Sequence, residues 1–429
     1  MAAPLPGARN ARLTIDSLGG RGDGIASLDG RLVYIPFTLP GETVDAEIVQ
    51  SRGDGMAAVA RGLETVSADR IAPACPHFGV CGGCSVQHFR HDAYLAWKRD
   101  LVAQALQRRG FAHPPLVDIV ATPPGRRRRA VLTAMRTRKA TIMGFHERAS
   151  HRLVDIAVCP VLLPSLAALI APVRDLLTAV LAVGQNVQVA LNDTDSGIDC
   201  QIAAEIEPDL AAREALAAFA ETHDLARVAW RYRGRSEPVV QRRLPVLRLG
   251  QAAVAVPPGG FLQASREGER AMREAVAQWL SEAPSVVDLY GGIGTLSLGL
   301  LPECGVHLVE DNPEACASVE MAARLPALRG RLTVERRDLA KEPLPSESLN
   351  RFEAAILDPP RAGASAQARE LAASTVRTVI AVSCDPGTFA RDARILVDGG
   401  YALEQVIPID QFLWSAHVEL VAVFRRNRL

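Results

Sequence analysis

The sequence lacks several features that would assign it to a class at once. Lys plus Arg and Asp plus Glu both number 48 in its 429 residues, so the chain as a whole has no net charge that would attract a polyanion. The start of the chain lacks the basic region and apolar run of a secretory signal, and no later run is apolar for long enough to span a membrane. We therefore expect a cytoplasmic protein with no membrane partner.

Cysteine is scarce, and internal repeats and low-complexity tracts are missing. Eight cysteines in a chain of this length are too few for a disulfide scaffold. In a reducing compartment, cysteines that cluster in sequence indicate metal binding or catalysis instead. The composition, 48% hydrophobic and 22% charged, is that of an ordinary globular protein with two or three domains.

The chain changes its pattern twice, which predicts three domains. Residues 1–68 alternate short apolar segments with glycine turns, as in an OB-like β-barrel. Residues 69–259 mix strands with helices and predict a central α+β domain, whose helix over 93–110 is a candidate to pack on the third domain. Further helices are expected over 164–183 and 209–222.

Residues 260–429 alternate regularly between apolar strands and helical stretches. The predicted fold class is therefore α/β, with a Rossmann-like, doubly wound parallel sheet in this domain. A final run over 418–425 is expected to pair antiparallel at or near the sheet edge. The parallel strands are expected at Ser285–Leu289, Gly305–Val309, Leu332–Glu335, Ala354–Leu357 and Thr378–Val382.

Polar motifs follow successive strands of this predicted sheet. Asp288-Leu289-Tyr290-Gly291-Gly292-Ile293-Gly294-Thr295 has the form of a strand and a glycine-rich turn that a ligand can approach, although a turn needed only for packing is the alternative. Glu310 can accept hydrogen bonds from ribose hydroxyls, and Asp338 from an adenine amino group. The spacing G-x-G-x-x-G of dinucleotide sites is absent. The order of motifs instead predicts S-adenosylmethionine as the cofactor.

A cysteine ends the fifth strand, in Ser383-Cys384-Asp385-Pro386, and a carboxylate follows downstream at Glu419. Open α/β sheets keep their active sites at this edge. Carbon 5 of uracil becomes nucleophilic only after a thiolate adds to carbon 6, and its proton must then be removed by a base. The two residues supply both groups, while a buried packing cysteine is the alternative interpretation of Cys384.

Five segments together resemble the RNA uridine-C5 methyltransferase family: Phe261-Leu262-Gln263, Asp288 to Gly294, Asp358-Pro359-Pro360-Arg361, Ser383 to Pro386 and His417-Val418-Glu419. The N-terminal barrel resembles the TRAM domain of that family. The resemblance implies that Cys384 is the nucleophile and Glu419 the general base. It also implies that the cofactor pocket is lined by Gln263, Tyr290, Thr295, Glu310, Asp338 and Asp358.

The sequence departs from the family pattern at three positions. Gly291 stands where the family often has cysteine, Thr295 where it often has asparagine, and Asp385 where it has asparagine. A carboxylate at Asp385 would disfavour the Cys384 thiolate unless it points away or is itself paired. Arg361 is a candidate to stabilise an enolate oxygen of the substrate, and a salt bridge near the sheet edge is its alternative role.

A second group of cysteines has the spacing C-x5-C-x2-C, at Cys75, Cys81 and Cys84, with Cys159 far downstream. Four thiolates suit either zinc or an iron–sulfur cluster, and spacing alone does not separate the two. The resemblance implies a 4Fe-4S cluster, which is typical of the ribosomal RNA branch of the family.

We therefore expect S-adenosylmethionine-dependent C5-methylation of a specific uridine in 23S ribosomal RNA. RNA is the expected partner, and no obligate protein partner is inferred. A transfer RNA uridine methyltransferase and a non-catalytic iron–sulfur RNA-binding module are the alternatives. RNA contacts would come from local basic runs such as Arg126 to Arg129, for which a solvated face is the simpler interpretation.

Overall fold

The computed structural model describes residues 4–53 and 55–426. The chain divides into two compact units, of which the first runs to Leu101 and includes Phe145–Val154 and Phe412–His417, and the second holds the rest. No helix within the described ranges is long and apolar enough to cross a membrane. The division into domains 1–68, 69–259 and 260–429 stays a prediction.

A six-stranded sheet forms most of the first unit. Its strands pair antiparallel, except that β4 and β6 are parallel, and they lie in the order β1-β5-β6-β4-β3-β2. Alternate residues such as Val33 and Ile35 point into one core, as the period of two in the sequence predicts. The strands are β1 Pro4–Thr14, β2 Ser17–Leu18, β3 Asp23–Leu28, β4 Arg31–Pro36, β5 Thr43–Arg52 and β6 Gly55–Thr65.

Helix α1, His91–Gln107, follows this sheet, and a short strand β7, Val120–Ala121, comes next. The apolar residues Val102, Ala105 and Leu106 recur at helical spacing and are buried in one hydrophobic core with Val287 and Leu289 of the second unit's largest sheet. The last turns of α1 therefore belong to the core that supports that sheet.

A seven-stranded sheet occupies the middle of the chain, in the order β10-β9-β8-β11-β12-β13-β14. The helix predicted over 164–183 is two helices, α2 Pro164–Ala167 and α3 Ile170–Val180, and α4 is Leu210–Thr222. A small hairpin, β15 Val246–Leu249 and β16 Ala252–Ala255, follows. The sheet strands are β8 Arg129–Arg136, β9 Thr141–His146, β10 Leu153–Asp155, β11 Asn186–Thr194, β12 Gly197–Ala203, β13 Arg227–Tyr232 and β14 Arg235–Gln241.

The largest sheet has eight strands in the order β19-β18-β17-β20-β21-β23-β22-β7. The first five are parallel, which confirms the predicted doubly wound α/β sheet. The strands are β17 Ser285–Leu289, β18 Gly305–Glu310, β19 Leu332–Arg336, β20 Ala354–Leu357, β21 Thr378–Ser383, β22 Ala402–Asp410 and β23 Glu419–Arg425. The helices are α5 Arg266–Trp279, α6 Pro313–Ala323, α7 Ser346–Leu349, α8 Ser365–Ala373 and α9 Pro386–Asp398.

Both faces of this sheet are covered. In β21, Val379 and Ala381 belong to one hydrophobic core, whereas Ile380 and Val382 belong to another. Strand β23 pairs antiparallel with β21 on one side and with β22 on the other. The predicted antiparallel pairing is confirmed, and the strand lies third from one edge, with β22 and the two-residue β7 beyond it.

Candidate active site

The predicted site residues meet at one edge of the eight-stranded sheet. Glu310 ends β18, Asp358 follows β20 and Cys384 follows β21, so all three lie at carboxyl ends of parallel strands. Glu419 begins β23, which runs in the opposite direction, and the pairing of Ser383 with Leu420 brings it beside Cys384. Strand direction and register alone therefore gather these side chains.

The glycine-rich turn after β17 leaves room for a ligand. Gly292 has φ +56°, and a Cβ at this position would meet no atom within 4 Å. Gly291 differs, because a Cβ there would lie 2.6 Å from Cγ of Leu308. A side chain at position 291 would therefore collide with Leu308 unless Leu308 moved. The turn serves packing at Gly291 and open access at Gly292.

Glu310 is tied to this turn by its carboxylate. One oxygen accepts a hydrogen bond from the amide of Gly292 and the other from the amide of Asn312, both at 2.9 Å. Burial raises the pKa of Glu310, and the neighbouring Asp311 adds to the effect. Each carboxylate oxygen thus accepts one backbone hydrogen bond and keeps a further acceptor site, and the binding of ligand hydroxyls there stays a prediction.

Asp288 is a polar residue at this edge that the predicted residue set omits. It is 1% exposed, and its Oδ2 accepts a hydrogen bond from Ser297 Oγ at 2.5 Å, while its Oδ1 is buried without a partner. Burial raises the pKa of Asp288 to about 7, and the charges of Asp358 and Glu310 act in the same direction. A buried acceptor without a donor indicates a group that binds here.

The remaining predicted cofactor residues surround the same turn. Burial raises the pKa of Tyr290 to about 12, with a further contribution from Asp338, so its hydroxyl stays neutral. Asp338 lies 2.7 Å from Lys341, whose hydrogen bond lowers the pKa of the carboxyl. Thr295 is partly buried within the turn. Acceptors thus dominate, which fits a cofactor that presents hydroxyl and amino donors.

The electrostatics around Cys384 come from two carboxyl groups. Burial raises the pKa of the Cys384 thiol to about 11, and the charges of Glu419 and Asp358 contribute, whereas Arg361 opposes them. Burial raises the pKa of Glu419 to about 8, helped by Asp358, and desolvation raises that of Asp358 to about 7. The charges of Glu419 and Asp358 thus oppose ionisation of the Cys384 thiol, and the charge of Asp358 opposes that of Glu419.

Asp385 does not add to this repulsion. Its Oδ1 accepts hydrogen bonds from the amides of Gly387 and Thr388, at 2.9 and 3.1 Å, and so caps helix α9. Its Oδ2 lies 3.5 Å from Nε of Arg361. The carboxylate is paired, which answers the concern raised by its place next to Cys384, and Arg361 forms the salt bridge that was its alternative role.

Gln263 is 6% exposed and connects to Glu419 through a residue that sequence reasoning missed. Nε2 of Gln411 donates to Oε1 of Gln263 at 2.9 Å and to Oε2 of Glu419 at 2.8 Å. Gln411 carries no motif, and it follows Asp410 at the end of β22. Only the pairing of β22 with β23 brings it to the site.

The four cysteines predicted as iron–sulfur ligands are divided between the two compact units of the chain. Cys75, Cys81, Cys84 and Cys159 are each partly exposed. Backbone hydrogen bonds such as Phe78 N to Cys75 O, at 3.1 Å, form the turns of the cysteine-rich stretch. Within residues 4–53 and 55–426, no three or more Cys, His, Asp or Glu side chains are grouped to hold a metal ion. The 4Fe-4S cluster therefore stays a prediction.

The arginine run 126–129 is not a uniform solvated face. Arg128 is 1% exposed and forms an ion pair with Glu269. The guanidinium of Arg129 lies 5.3 Å from the ring centre of Phe261, an exposed aromatic two residues before Gln263. Part of the run thus supports the segment that carries Gln263.

No model of a known protein family matches the chain. An uncharacterized RNA methyltransferase of Mesorhizobium japonicum is 41% identical over 419 residues, which cover 98% of this chain and 99% of the relative. The 23S rRNA (uracil(1939)-C(5))-methyltransferase of Halomonas elongata is 33% identical over 434 residues, which cover 95% of this chain and 88% of the relative.

Among solved structures, the tRNA (uracil-54, C5)-methyltransferase of Pyrococcus abyssi in complex with S-adenosyl-L-homocysteine matches with a TM-score of 0.74. The match covers 96% of this chain and 100% of that one at 23% sequence identity. It shows a shared fold over nearly the whole length.

Proposed function

Because the chain belongs to the RNA uracil-C5 methyltransferase family, we propose that it methylates carbon 5 of one uridine in 23S ribosomal RNA through a transient bond to Cys384. The observation that carries this proposal is the convergence of Cys384, Asp358 and Glu419 at one sheet edge, with the pKa of each raised. A nucleophile and a base in electrostatic contact are what C5-methylation requires.

The relatives favour ribosomal over transfer RNA as the substrate. The Halomonas relative, which is named for 23S rRNA, is 33% identical and 88% covered. The Pyrococcus enzyme, named for tRNA, shares the fold at 23% identity. Transfer RNA is therefore the second candidate.

When bound, S-adenosylmethionine would supply a methyl group on a sulfonium, whose sulfur would keep the electron pair of the methyl–sulfur bond and leave as neutral S-adenosylhomocysteine. We assign its binding to the acceptors around the glycine-rich turn, since they fit ribose hydroxyls and an adenine amino group. Asp288 joins this set because of its unpartnered oxygen. The other residues are those predicted from the sequence: Gln263, Tyr290, Thr295, Glu310, Asp338 and Asp358.

Cys384 begins the reaction. Its proton leaves first, and we assign its removal to Asp358, which ends the neighbouring strand and whose charge acts on the thiol. Sγ then bonds to carbon 6 of the uracil, and the electron pair of the C5–C6 double bond moves toward O4 as an enolate. Carbon 5 of this enolate becomes the nucleophile that accepts the methyl group.

Glu419 ends the reaction. Its ionised carboxylate, the form that predominates above its pKa of about 8, takes the proton from the methylated carbon 5, the C5–C6 double bond re-forms and the bond from carbon 6 to Sγ breaks. The thiolate leaves with the electron pair of that bond, and the thiol recovers its proton. Glu419 is 5% exposed, so bulk water does not replace it readily as the base.

Trapping with 5-fluorouridine tests the covalent route. Fluorine at carbon 5 cannot leave as a proton, so the methylated adduct should persist on a denaturing gel when the protein is incubated with S-adenosylmethionine and fluorinated 23S RNA. Peptide mapping should locate the RNA on Cys384, and Cys384→Ala should abolish both adduct and methylation. Cys304→Ala, a change at a buried core cysteine, is the control. Methylation without any adduct would overturn the covalent route.

The RNA substrate is tested separately. Ribosomal and transfer RNA from a strain that lacks the protein are incubated with the enzyme and labelled S-adenosylmethionine, and modified nucleosides are mapped by mass spectrometry. We expect 5-methyluridine at one site in 23S RNA. Labelling confined to transfer RNA would favour the second candidate.

A further inference from the structure

Gln411 is buried at the centre of a polar network that joins the two halves of the site. It is 3% exposed and lies at the end of β22. Its amide makes three hydrogen bonds: Nε2 to Glu419 Oε2 at 2.8 Å, Nε2 to Gln263 Oε1 at 2.9 Å, and Oε1 from the backbone amide of Ala264 at 3.1 Å. One partner is the proposed base and another is a proposed cofactor residue.

The chemistry of the partners determines which way the Gln411 amide faces. The backbone N–H of Ala264 can only donate, so the Gln411 atom that faces it is the oxygen. The nitrogen then faces Glu419 and Gln263, where a carboxylate oxygen and an amide oxygen accept both of its hydrogens. A flipped amide would place donors against the Ala264 N–H and an oxygen against a carboxylate.

The hydrogen bonds to Gln411 determine which atoms of Glu419 and Gln263 face the substrate and the cofactor. Oε2 of Glu419 is engaged, so Oε1 is the oxygen available to accept a proton. The hydrogen bond from Gln411 also favours the charged carboxylate and opposes burial, which raises the pKa of Glu419. Oε1 of Gln263 is engaged, so its amide N–H₂ is the group available to a ligand.

The segment that carries Gln263 is fastened from the opposite side as well. The backbone N of Arg128 donates to Ala264 O at 2.9 Å, and its Nε donates to Gln263 O at 3.2 Å. The Arg128 guanidinium is itself held by Glu269. With backbone and side chain both restrained, Gln263 has little freedom to rotate away from Gln411.

The close approach of Gln411 depends on a glycine in helix α5. A Cβ on Gly268 would lie 2.9 Å from Cβ and 3.1 Å from Oε1 of Gln411. Any side chain at this position would therefore push Gln411 away from the network. Gly268 provides a second way to disturb Gln411 without changing its amide.

We propose that Gln411 is a positioning residue that fixes the carboxylate of Glu419 and the amide of Gln263 in one geometry, so that proton removal and cofactor binding depend on the same side chain. This inference rests on the proposed function of the site. The coupling passes through two hydrogen bonds from Nε2 of Gln411. Loss of this donor should therefore impair proton removal and cofactor binding together. If Gln411 had only a structural role, its loss would not affect these two steps in particular.

Gln411→Met tests the proposal, since methionine has a similar length and no donor. Two quantities are measured: the dissociation constant of S-adenosylhomocysteine by titration calorimetry, and the release of tritium from RNA that contains [5-³H]uridine, with covalent adduct followed on denaturing gels. We expect weaker binding, tritium release slowed by roughly ten- to a hundred-fold, as for loss of a hydrogen bond to a charged group, and accumulation of methylated adduct.

Two further variants separate positioning from general damage. Gln367→Met is the matched control, because Gln367 is a fully buried glutamine whose amide bonds the backbone N and O of Leu344 at 2.8 and 3.0 Å. It should leave the fraction of adduct and the dissociation constant unchanged. Gly268→Ala should reproduce the effects of Gln411→Met in weaker form.

The proposal is overturned if folded Gln411→Met keeps wild-type binding and tritium release, or if Gln367→Met changes both to the same extent. Failure of the proposed function is a different result, since the wild-type protein itself would then form no adduct and release no tritium.

Discussion

Oδ2 of Asp385 lies 3.5 Å from Nε of Arg361, so the carboxylate next to Cys384 is half of an ion pair while its other oxygen caps helix α9. The negative charge of Asp385, which could disfavour the Cys384 thiolate, is therefore paired with Arg361 and also bonded to the amides of helix α9. Arg361 is itself exposed and lowers the pKa of Cys384. The pair makes aspartate acceptable at a position where the family usually has asparagine.

Removal of the Arg361 charge should make Cys384 less acidic. In Arg361→Gln, the pKa of the thiol should rise because the guanidinium no longer opposes burial and the two carboxylates. The rate of Cys384 alkylation by iodoacetamide, followed by peptide mass spectrometry from pH 7 to 10, should fall at every pH. Arg369→Gln, an exposed change on α8, is the control, and an equal fall there would contradict this role.

Asp385→Asn should be nearly neutral for stability, since asparagine caps helices as well as aspartate does. Asp385→Ala should lower the free energy of unfolding by about 1 kcal/mol, because two amides of α9 lose their acceptor. Urea denaturation at neutral pH measures both. Equal stability of the alanine variant and the wild type would show that the cap contributes nothing.

Removal of the Glu419 charge should make Cys384 more reactive. Glu419 has a pKa of about 8 and is ionised at pH 9, where its charge raises the pKa of the thiol. In Glu419→Gln, Cys384 should therefore be alkylated faster at pH 9, although tritium release from RNA is lost. Unchanged or slower alkylation would mean that the two side chains do not interact electrostatically.

The raised pKa of Glu419 should also make the folded protein less stable as the pH rises. Its pKa is about 8 in the folded protein and 4.5 ordinarily, so its contribution is complete below about pH 4.5 and is lost as pH rises to about 8. At about 1.4 kcal/mol per unit, the loss is at most about 5 kcal/mol, and it is shared with Asp358 and Cys384, which titrate beside it. Between pH 5 and 9, the unfolding temperature of Glu419→Gln should rise relative to that of the wild type.

The control for this pH series is Glu404→Gln, which removes an exposed carboxylate on β22 that pairs with Arg425 at 2.6 Å. If the unfolding temperature rises by the same amount relative to wild type in Glu404→Gln and in Glu419→Gln, the specific contribution of Glu419 is refuted.

The two glycines of the turn should respond differently to alanine. Gly292→Ala places its Cβ in open space and costs about 1 kcal/mol of backbone strain at φ +56°, but it should weaken binding of S-adenosylhomocysteine at least ten-fold because the methyl group enters the ligand side. Gly291→Ala should mainly destabilise the fold, since its Cβ would lie 2.6 Å from Leu308. Thermal unfolding and titration calorimetry on both variants distinguish the two losses.

The sequence predicts the sheet-edge groups because each follows an apolar run. Glu310, Asp358 and Cys384 come directly at strand ends, and a parallel sheet necessarily brings such ends together. The periodicity also predicts β17 and β20 with their observed bounds. These features depend on local pattern and on one general rule of topology.

Gln411 and the partners of Arg128 depend on packing between distant segments, and no local pattern signals them. Gln411 meets Gln263 across 148 positions, and Arg128 meets Glu269 across 141. The sequence predicts that β23 pairs antiparallel at or near the edge but leaves open whether it is the last strand, and the structure places β22 and β7 beyond it. Apolar residues in β23 agree with either place, so composition does not decide between them.

Cys384 and Glu419 adjoin the hydrogen-bonded pair β21 and β23, in the interior of a sheet that is packed on both faces. The sheet holds both side chains in place. The pyrimidine ring of the substrate therefore has to move to them. Under the proposed function, the target uridine must leave its stacked neighbours to reach Cys384, so we expect uridines in flexible RNA loops to be modified in preference to paired ones.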